Sequence, residues 1–363
     1  MYKEIVRPLL FRLDPEQAHN LVKKVGRIVQ VLPPLGFLLE KYFRVDSPLL
    51  EQELLGRKFA NPLGLAAGFD KNAQLLEFFS YLGFGFMEVG SVTAQPWEGN
   101  PQPRLFRLPE DEALLNRMGL NNDGCDEIVS RLRNNIYRPH LPLGTNITKT
   151  PHPAIVGEKA IEDFVYSYRH LRLVSDYAVL NISCPNTLEG KTFEDLGLFR
   201  ELMTELKYAR LADQFPLLVK LSPDLEPKRL ENLLMVGSFY DVDGYVVCNT
   251  TAKRENLQTS SNQVAELGKG GLSGQPLRVQ ATKMLRRVYE MTKGEVLLIG
   301  VGGINSAESA YERIKAGASL VQVYTGLIYE GPALAKRINS GLVELLKHDG
   351  FDNISEAVGT EKK

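Results

Sequence analysis

Cysteine is scarce in this chain, and the three present, Cys125, Cys184 and Cys248, show no C-x-x-C spacing. That argues against a disulfide scaffold, an iron–sulfur cluster or a zinc site. A reducing cytosol is the matching compartment. Histidine is also sparse: His19, His140, His152, His170 and His348 fall in no metal-ligand spacing, so no metal centre is expected. The net charge is only −1, which gives no bulk attraction to a polyanion, and no basic patch dominates. Nucleic acid is therefore not an expected partner. Long apolar runs are missing too. The N-terminus lacks the apolar core of a signal peptide, and the most apolar stretch, residues 28–39, is too short to cross a bilayer and is broken by Pro33 and Pro34. Internal repeats and low-complexity segments are absent.

What is present is material for a large core: 363 residues, 44% hydrophobic and 24% charged. Three segments are expected. Residues 1–45 read as a small helical appendage. Asp14, Pro15 and Gln17 supply an N-cap, a first-turn proline and a capping partner. Behind them Ala18, Leu21, Val22, Val25, Ile28, Val29 and Leu32 recur at helical spacing as one apolar stripe. Six basic side chains against three acidic ones over residues 1–32 suit an anionic membrane surface, while packing on the chain's own domain is the other use of such a stripe. Residues 46–350 alternate short apolar runs with amphipathic stretches. The runs are 62–69, 86–93, 141–148, 177–184, 216–222, 244–251, 296–303 and 320–326. Eight βα units predict an α/β fold, a (β/α)8 TIM barrel. An open doubly wound sheet competes, but residues 64–68 do not fit its glycine fingerprint. Residues 351–363 read as a polar tail.

In a barrel the carboxyl ends of the strands converge on one mouth, where catalytic groups are presented. Those ends carry Asp70 and Lys71, Ser91, Asn146, Asn181 with Cys184, Lys220, Asn249 with Thr250, Gly302 with Gly303, and Tyr324 with Thr325. Amides and hydroxyls without paired carboxylates speak against a two-acid hydrolase. The cluster NISCPNT, residues 181–187, makes Cys184 a candidate catalytic base; the competing reading is a small buried hydrophobe. Lys220 closes the apolar run PLLVKLS, where an ammonium needs an anionic neighbour. A flavin would supply one, and so would Asp70 or Asp224. Gly270, Gly271 and Gly274 with Gly302 and Gly303 would let backbone approach a phosphate, or simply serve turns.

Taken in series, NPLGLAAGFDKN, GSVT, NPQPRLFRLPED, NRMGLNN, NISCPNT, VKLSPD, CNTT, GGLSGQPL, IGVGGI and ASLVQVYTG resemble the dihydroorotate dehydrogenases over nearly the whole chain. The N-terminal helices, including DPEQAH, resemble the quinone-dependent, membrane-associated class. The resemblance implies an FMN enzyme that oxidises dihydroorotate to orotate in pyrimidine synthesis. It assigns FMN to Ala66, Ala67, Gly68, Phe69, Asp70, Ser91, Asn146, Asn181, Lys220, Cys248, Gly274, Gly303, Tyr324 and Thr325. It assigns the substrate to Lys71, Asn116, Arg117, Met118, Gly119, Leu120, Asn181, Asn186, Asn249 and Thr250. Asparagine amides can match the paired donors and acceptors of an imide ring, and Lys71 can pair with a carboxylate. In the implied chemistry, aided by Lys71, Cys184 removes the C5 proton as the C6 hydride passes to the flavin.

The resemblance departs from the quinone-dependent class at three places. That class carries serine at the base position and the soluble class cysteine, so Cys184 here bears on the electron acceptor; a thiol with an ordinary pKa of about 8.5 ionises far more readily than a hydroxyl. Cys248 replaces a threonine often found before the Asn-Thr pair, and TLEGKTFED differs as well. His19, Arg107 and Tyr324 resemble the polar residues of the family's quinone tunnel; an ion pair of Arg107 with Glu110 or Asp111 is the alternative. The expected partners are dihydroorotate, orotate and a membrane quinone. The expected location is the cytoplasm, peripherally held at the inner face of the cell membrane through the N-terminal helices. A soluble-class enzyme using fumarate or NAD, another FMN barrel acting on a 2-hydroxy acid, and a non-enzymatic phosphate-binding barrel are the competing readings. No histidine stands at a strand end to serve as base for the second.

Overall fold

The computed structural model describes residues 2–135, 141–183, 193–210 and 214–361. Cys184 and Asn186, with the rest of 184–192, lie outside the described residues. The eight apolar runs form strands β1 (Leu63–Leu65), β2 (Phe86–Val92), β3 (Leu143–Ile147), β4 (Tyr177–Asn181), β5 (Leu217–Leu221), β6 (Gly244–Val247), β7 (Leu297–Val301) and β8 (Leu320–Val323). All are parallel and paired in chain order, with β8 hydrogen-bonded back to β1. The sheet is therefore a closed barrel, and the helices between strands, such as Glu158–Leu171, Leu196–Arg210 and Ala307–Lys315, bury their apolar stripes against its outside.

Inside, bulk and its absence alternate around the barrel. A Cβ at Gly64 would strike the Phe86 ring, and one at Gly144 the Tyr177 ring. These two aromatic rings fill the amino-terminal end together with Leu218, Leu320 and Phe59. Phe59 comes from an antiparallel hairpin, Gln52–Leu54 with Arg57–Phe59, and its ring meets Phe86 edge-on at 5.5 Å. One end of the barrel is thus packed shut.

The opposite end carries an element that the sequence pattern did not reveal. Leu105–Leu108, Ala113–Asn116 and Gly271–Gly274 form a three-stranded antiparallel sheet over the mouth. The N-terminal helices are α1 (Arg7–Phe11), α2 (Pro15–Gln30) and α3 (Pro33–Phe43); α2 lies against the first strand of this sheet, and α3 packs on α2. Asp14 caps α2 by accepting from the backbone of Glu16 and Gln17. The expected single stripe of α2 is divided. Ala18 and Val29 are buried and Gly26 packs against Leu75 and Phe78, whereas Leu21, Val25, Ile28 and Leu32 are exposed. One side of the helix thus packs on the chain's own domain, and the other side is exposed. The C-terminal segment is not a free polar tail: Ile354 and Ala357 are fully buried, the Gly359 amide donates to Ile314, and Glu361 pairs with Arg286.

Candidate active site

The mouth of the barrel is a cavity to which seven strand ends contribute. Ala66, Ala67, Gly68 and Lys71 follow β1, Ser91 lies in β2, and Asn181 ends β4. Lys220 belongs to β5, Cys248, Asn249 and Thr250 follow β6, Gly302 and Gly303 follow β7, and Tyr324 with Thr325 follow β8. Asn116, Ser273 and Gly274 of the overlying sheet and Met118, Gly119 and Leu120 beside it also line the cavity. Residues scattered over the chain from 66 to 325 thus meet in one place because each sits where its strand leaves the barrel.

Several expected residues lie just outside that lining. The Asp70 carboxylate accepts from the Gln74 and Leu75 amides at 2.9 and 2.8 Å, and burial raises its pKa against the pull of those bonds. It fixes the turn behind β1. Phe69 faces the neighbouring cavity instead. Asn146 is wholly buried one layer below the mouth, and its Oδ1 accepts the Ser91 hydroxyl at 2.5 Å. Arg117 donates to the Leu267 and Pro103 carbonyls and stacks on Phe106, bracing the overlying sheet. Gly270 stays out of the mouth, where a Cβ would strike Asn116; Gly271 makes room for Thr250.

The donor set fits a flavin mononucleotide on three counts. Lys220 is 6% exposed, and among the described residues no hydrogen bond or ion pair reaches its ammonium. The two acids considered for it are committed elsewhere: Asp70 as above, and Asp224 to the Thr251 hydroxyl, the Ala252 amide and Gln280. A buried ammonium suits the anionic side of a reduced isoalloxazine. At the far end Gly274 and Gly303 have φ of +101° and +71°, so the backbone there is bare and strained for any other residue, as a phosphate cradle requires. Ser273 and Thr325 stand beside it, their hydroxyls 2.8 Å apart. Burial pushes the Cys248 thiol up to about 12, which favours its protonated form near pH 7. Cys125, whose thiol is likewise pushed up to about 12 by burial, packs against Ser167 away from the mouth.

A second cavity of about 420 Å³ lies between the N-terminal helices and the barrel. Its walls are apolar: Leu10, Phe11, Val22, Val25, Phe78 and Ile328 are among them. His19, Arg107 and Tyr324 are polar members of the lining beside Tyr2, so the structure brings together the three residues singled out from the sequence. The His19 ring stacks edge-on to Phe69 at 5.0 Å. Burial first, then the charges of Lys23 and Lys71, bring its pKa down to about 4, so the ring is neutral near pH 7. Arg107 forms no ion pair with Glu110 or Asp111. It donates to the Leu13, Phe11 and Leu10 carbonyls and sits 4.5 Å over the Phe11 ring, which fastens the end of α1. Leu105, Leu114 and Tyr324 line both cavities and form their common wall.

Sequence reasoning passed over Leu105, Leu114, Ser273 and Gln322 as lining residues. Gln322 had a signal, a lone amide inside the apolar run of β8, of the kind that did single out Lys220.

Known proteins resemble this chain in sequence and fold. The family model described as Dihydroorotate dehydrogenase matches residues 49–346. A protein named Dihydroorotate dehydrogenase (quinone) from Haloarcula marismortui is 45% identical over 99% of both chains. One of the same name from Mycobacterium tuberculosis is 43% identical, over 99% of this chain and 98% of its own. Among solved structures, ligand-free DHODH from Eimeria tenella superposes with a TM-score of 0.85 at 35% identity, covering 96% of this chain and all of that one. The ferulenol complex from the same organism gives a TM-score of 0.82.

Proposed function

Since the chain belongs to the dihydroorotate dehydrogenase family, we propose that FMN and dihydroorotate share the mouth of the barrel and that the quinone enters through the second cavity. The reaction is the oxidation of (S)-dihydroorotate to orotate in de novo pyrimidine synthesis, with a quinone as electron acceptor. One observation carries the division of labour: a polar cavity and an apolar cavity meet at a common wall of Leu105, Leu114 and Tyr324.

FMN, when bound, supplies the acceptor for a hydride and relays the electrons to the quinone. The chain's residues do the rest. Lys220 would neutralise charge at the buried end, while Gly274, Gly303 and Thr325 would receive the phosphate. Lys71 would hold the substrate carboxylate, and the amides of Asn116, Asn181, Asn186 and Asn249 would hold the planar ring, paired donor to acceptor. Leu120 and its neighbours roof the site and exclude water. Cys184, outside the described residues, would take the C5 proton; it follows Ser183, whose hydroxyl accepts from Asn249 at 2.9 Å.

Membrane contact is assigned to α1–α3. Leu9, Val31, Phe37 and Leu38 are more than half exposed there, with Arg12, Lys24 and Arg27 nearby in sequence, which suits a peripheral position on the inner face of the cell membrane. Among the described residues no helix is long and apolar enough to cross a bilayer.

The test is anaerobic. Dihydroorotate should bleach the flavin absorbance of the purified protein, and a ubiquinone analogue should restore it. Cys184→Ser should keep the flavin but slow bleaching at pH 7 by about 10²-fold or more, the usual scale of a general base. Recovery with fumarate or NAD but not with quinone would overturn the acceptor assignment, and an unchanged bleaching rate across pH would overturn the base.

A further inference from the structure

The barrel interior holds one carboxylate that the assigned chemistry does not use. Glu88, in the middle of β2, is fully buried, and none of the ion pairs among the described residues involves it. Both of its oxygens are taken by amides. Asn146 donates to Oε1 at 2.8 Å, and Gln322 donates to Oε2 at 2.8 Å.

Because both of its oxygens accept, Glu88 dictates how the two amides on it are turned. With its Nδ2 on Glu88, Asn146 must present Oδ1 to Ser91, whose single proton is spent there. The Ser91 oxygen is left to accept from Asn181 Nδ2 at 3.0 Å. Asn181 Oδ1 in turn faces Asn249 Nδ2 at 3.3 Å, and Asn249 Oδ1 accepts the Thr250 amide at 2.8 Å. Every donor from mouth to interior therefore points toward Glu88. On the other branch Gln322 is left with an Oε1 that has no partner among the described residues, on a side chain that lines the mouth.

We propose that Glu88 is a positioning residue that sets the direction of this relay, and through it the donor and acceptor pattern that Asn181, Asn249 and Gln322 offer to ligands in the mouth. A glutamine of the same shape at this position would carry a donor of its own. One of its two amide neighbours would then face it N–H to N–H and have to turn over. If Asn146 turns, the direction reverses as far as Asn249; if Gln322 turns, the mouth gains a donor where it had an acceptor. The proposal rests on the reading of the mouth as the orotate site.

The experiment uses the flavin-loaded protein and measures orotate affinity by calorimetry beside the visible flavin spectrum. Glu88→Gln should weaken orotate about five- to tenfold, the scale of one mispaired hydrogen bond, and shift the flavin absorbance band. The double variant Glu88→Gln with Asn146→Asp moves the carboxylate one link along. The carboxylate introduced at position 146 then accepts from the new amide at position 88 and from Ser91. The oxygen of that new amide accepts from Gln322, and no other amide turns. The double variant should bind orotate within about twofold of the wild type. Equal affinity in wild type and Glu88→Gln, or a loss that the double variant does not recover, overturns the proposal. Should the single variant not fold, the double variant decides alone by the same twofold criterion. A wild-type protein that does not bind orotate overturns the underlying reading instead.

Discussion

At the scale of single residues, what each side chain does is decided by what already occupies its neighbours. Lys220 and Asp70 look like an ion pair waiting to form in the sequence, yet the carboxylate is consumed by two backbone amides and the ammonium is left facing the mouth. Sequence reveals that a charge stands in an apolar strand; it cannot say which partner has been claimed. His19 has a consequence for pH. Its pKa of about 4, against 6.5 for the free ring, is set first by burial and then by Lys23 and Lys71, with Glu16 opposing. The folded state binds fewer protons than the unfolded one between those values, so its contribution to stability is whole above about 6.5 and is lost as pH falls toward 4. Thermal unfolding at pH 7 and pH 5 should show a drop in the wild type that His19→Gln reduces; an equal drop in both would remove the histidine from the account. Its neutral ring also spares the cavity a second cation beside Arg107.

At the scale of elements, the barrel strands were legible because burial on both faces writes each of them as a mostly apolar run. The helices between them were legible by their period. The antiparallel sheet over the mouth was not, since its strands are four residues long and Gly271–Gly274 pairs with Ala113–Asn116 across more than 150 positions; no local pattern announces so distant a partner. This sheet is also what the N-terminal helices hold. Arg104, beside its first strand, donates through Nε and Nη2 to the Glu16 carboxylate of α2, and both side chains are nearly buried. Arg104→Gln leaves that carboxylate without its cation and should cost about 1–3 kcal/mol of docking. Hydrogen exchange along α2 should speed up and quinone reduction should slow while barrel amides keep their protection. Unaltered exchange in α2 would count against this attachment.

At the scale of the whole molecule, the two ends of the barrel have separate duties. The amino-terminal end is closed by the rings of Phe59, Phe86 and Tyr177, and the carboxyl end is lined by amides, glycines and the ammonium groups of Lys71 and Lys220. Phe59→Ala should cost about 3–5 kcal/mol in denaturant unfolding, as for other buried aromatic truncations. The rate of flavin reduction by dihydroorotate should stay within about twofold, because the lost packing lies at the far end from the site. A large fall in that rate at permissive temperature would show that the two ends are coupled.

The common wall of Leu105, Leu114 and Tyr324 also governs how the two partners interfere with each other in steady state. On the proposed assignment each has its own cavity, so neither must leave before the other arrives. Orotate added as product should compete with dihydroorotate alone, and an apolar blocker of the N-terminal cavity should compete with quinone alone. Double-reciprocal plots should be parallel when one partner is varied at fixed levels of the other. Orotate that competes with quinone would mean a single shared doorway, and the wall would then be a lining and not a partition.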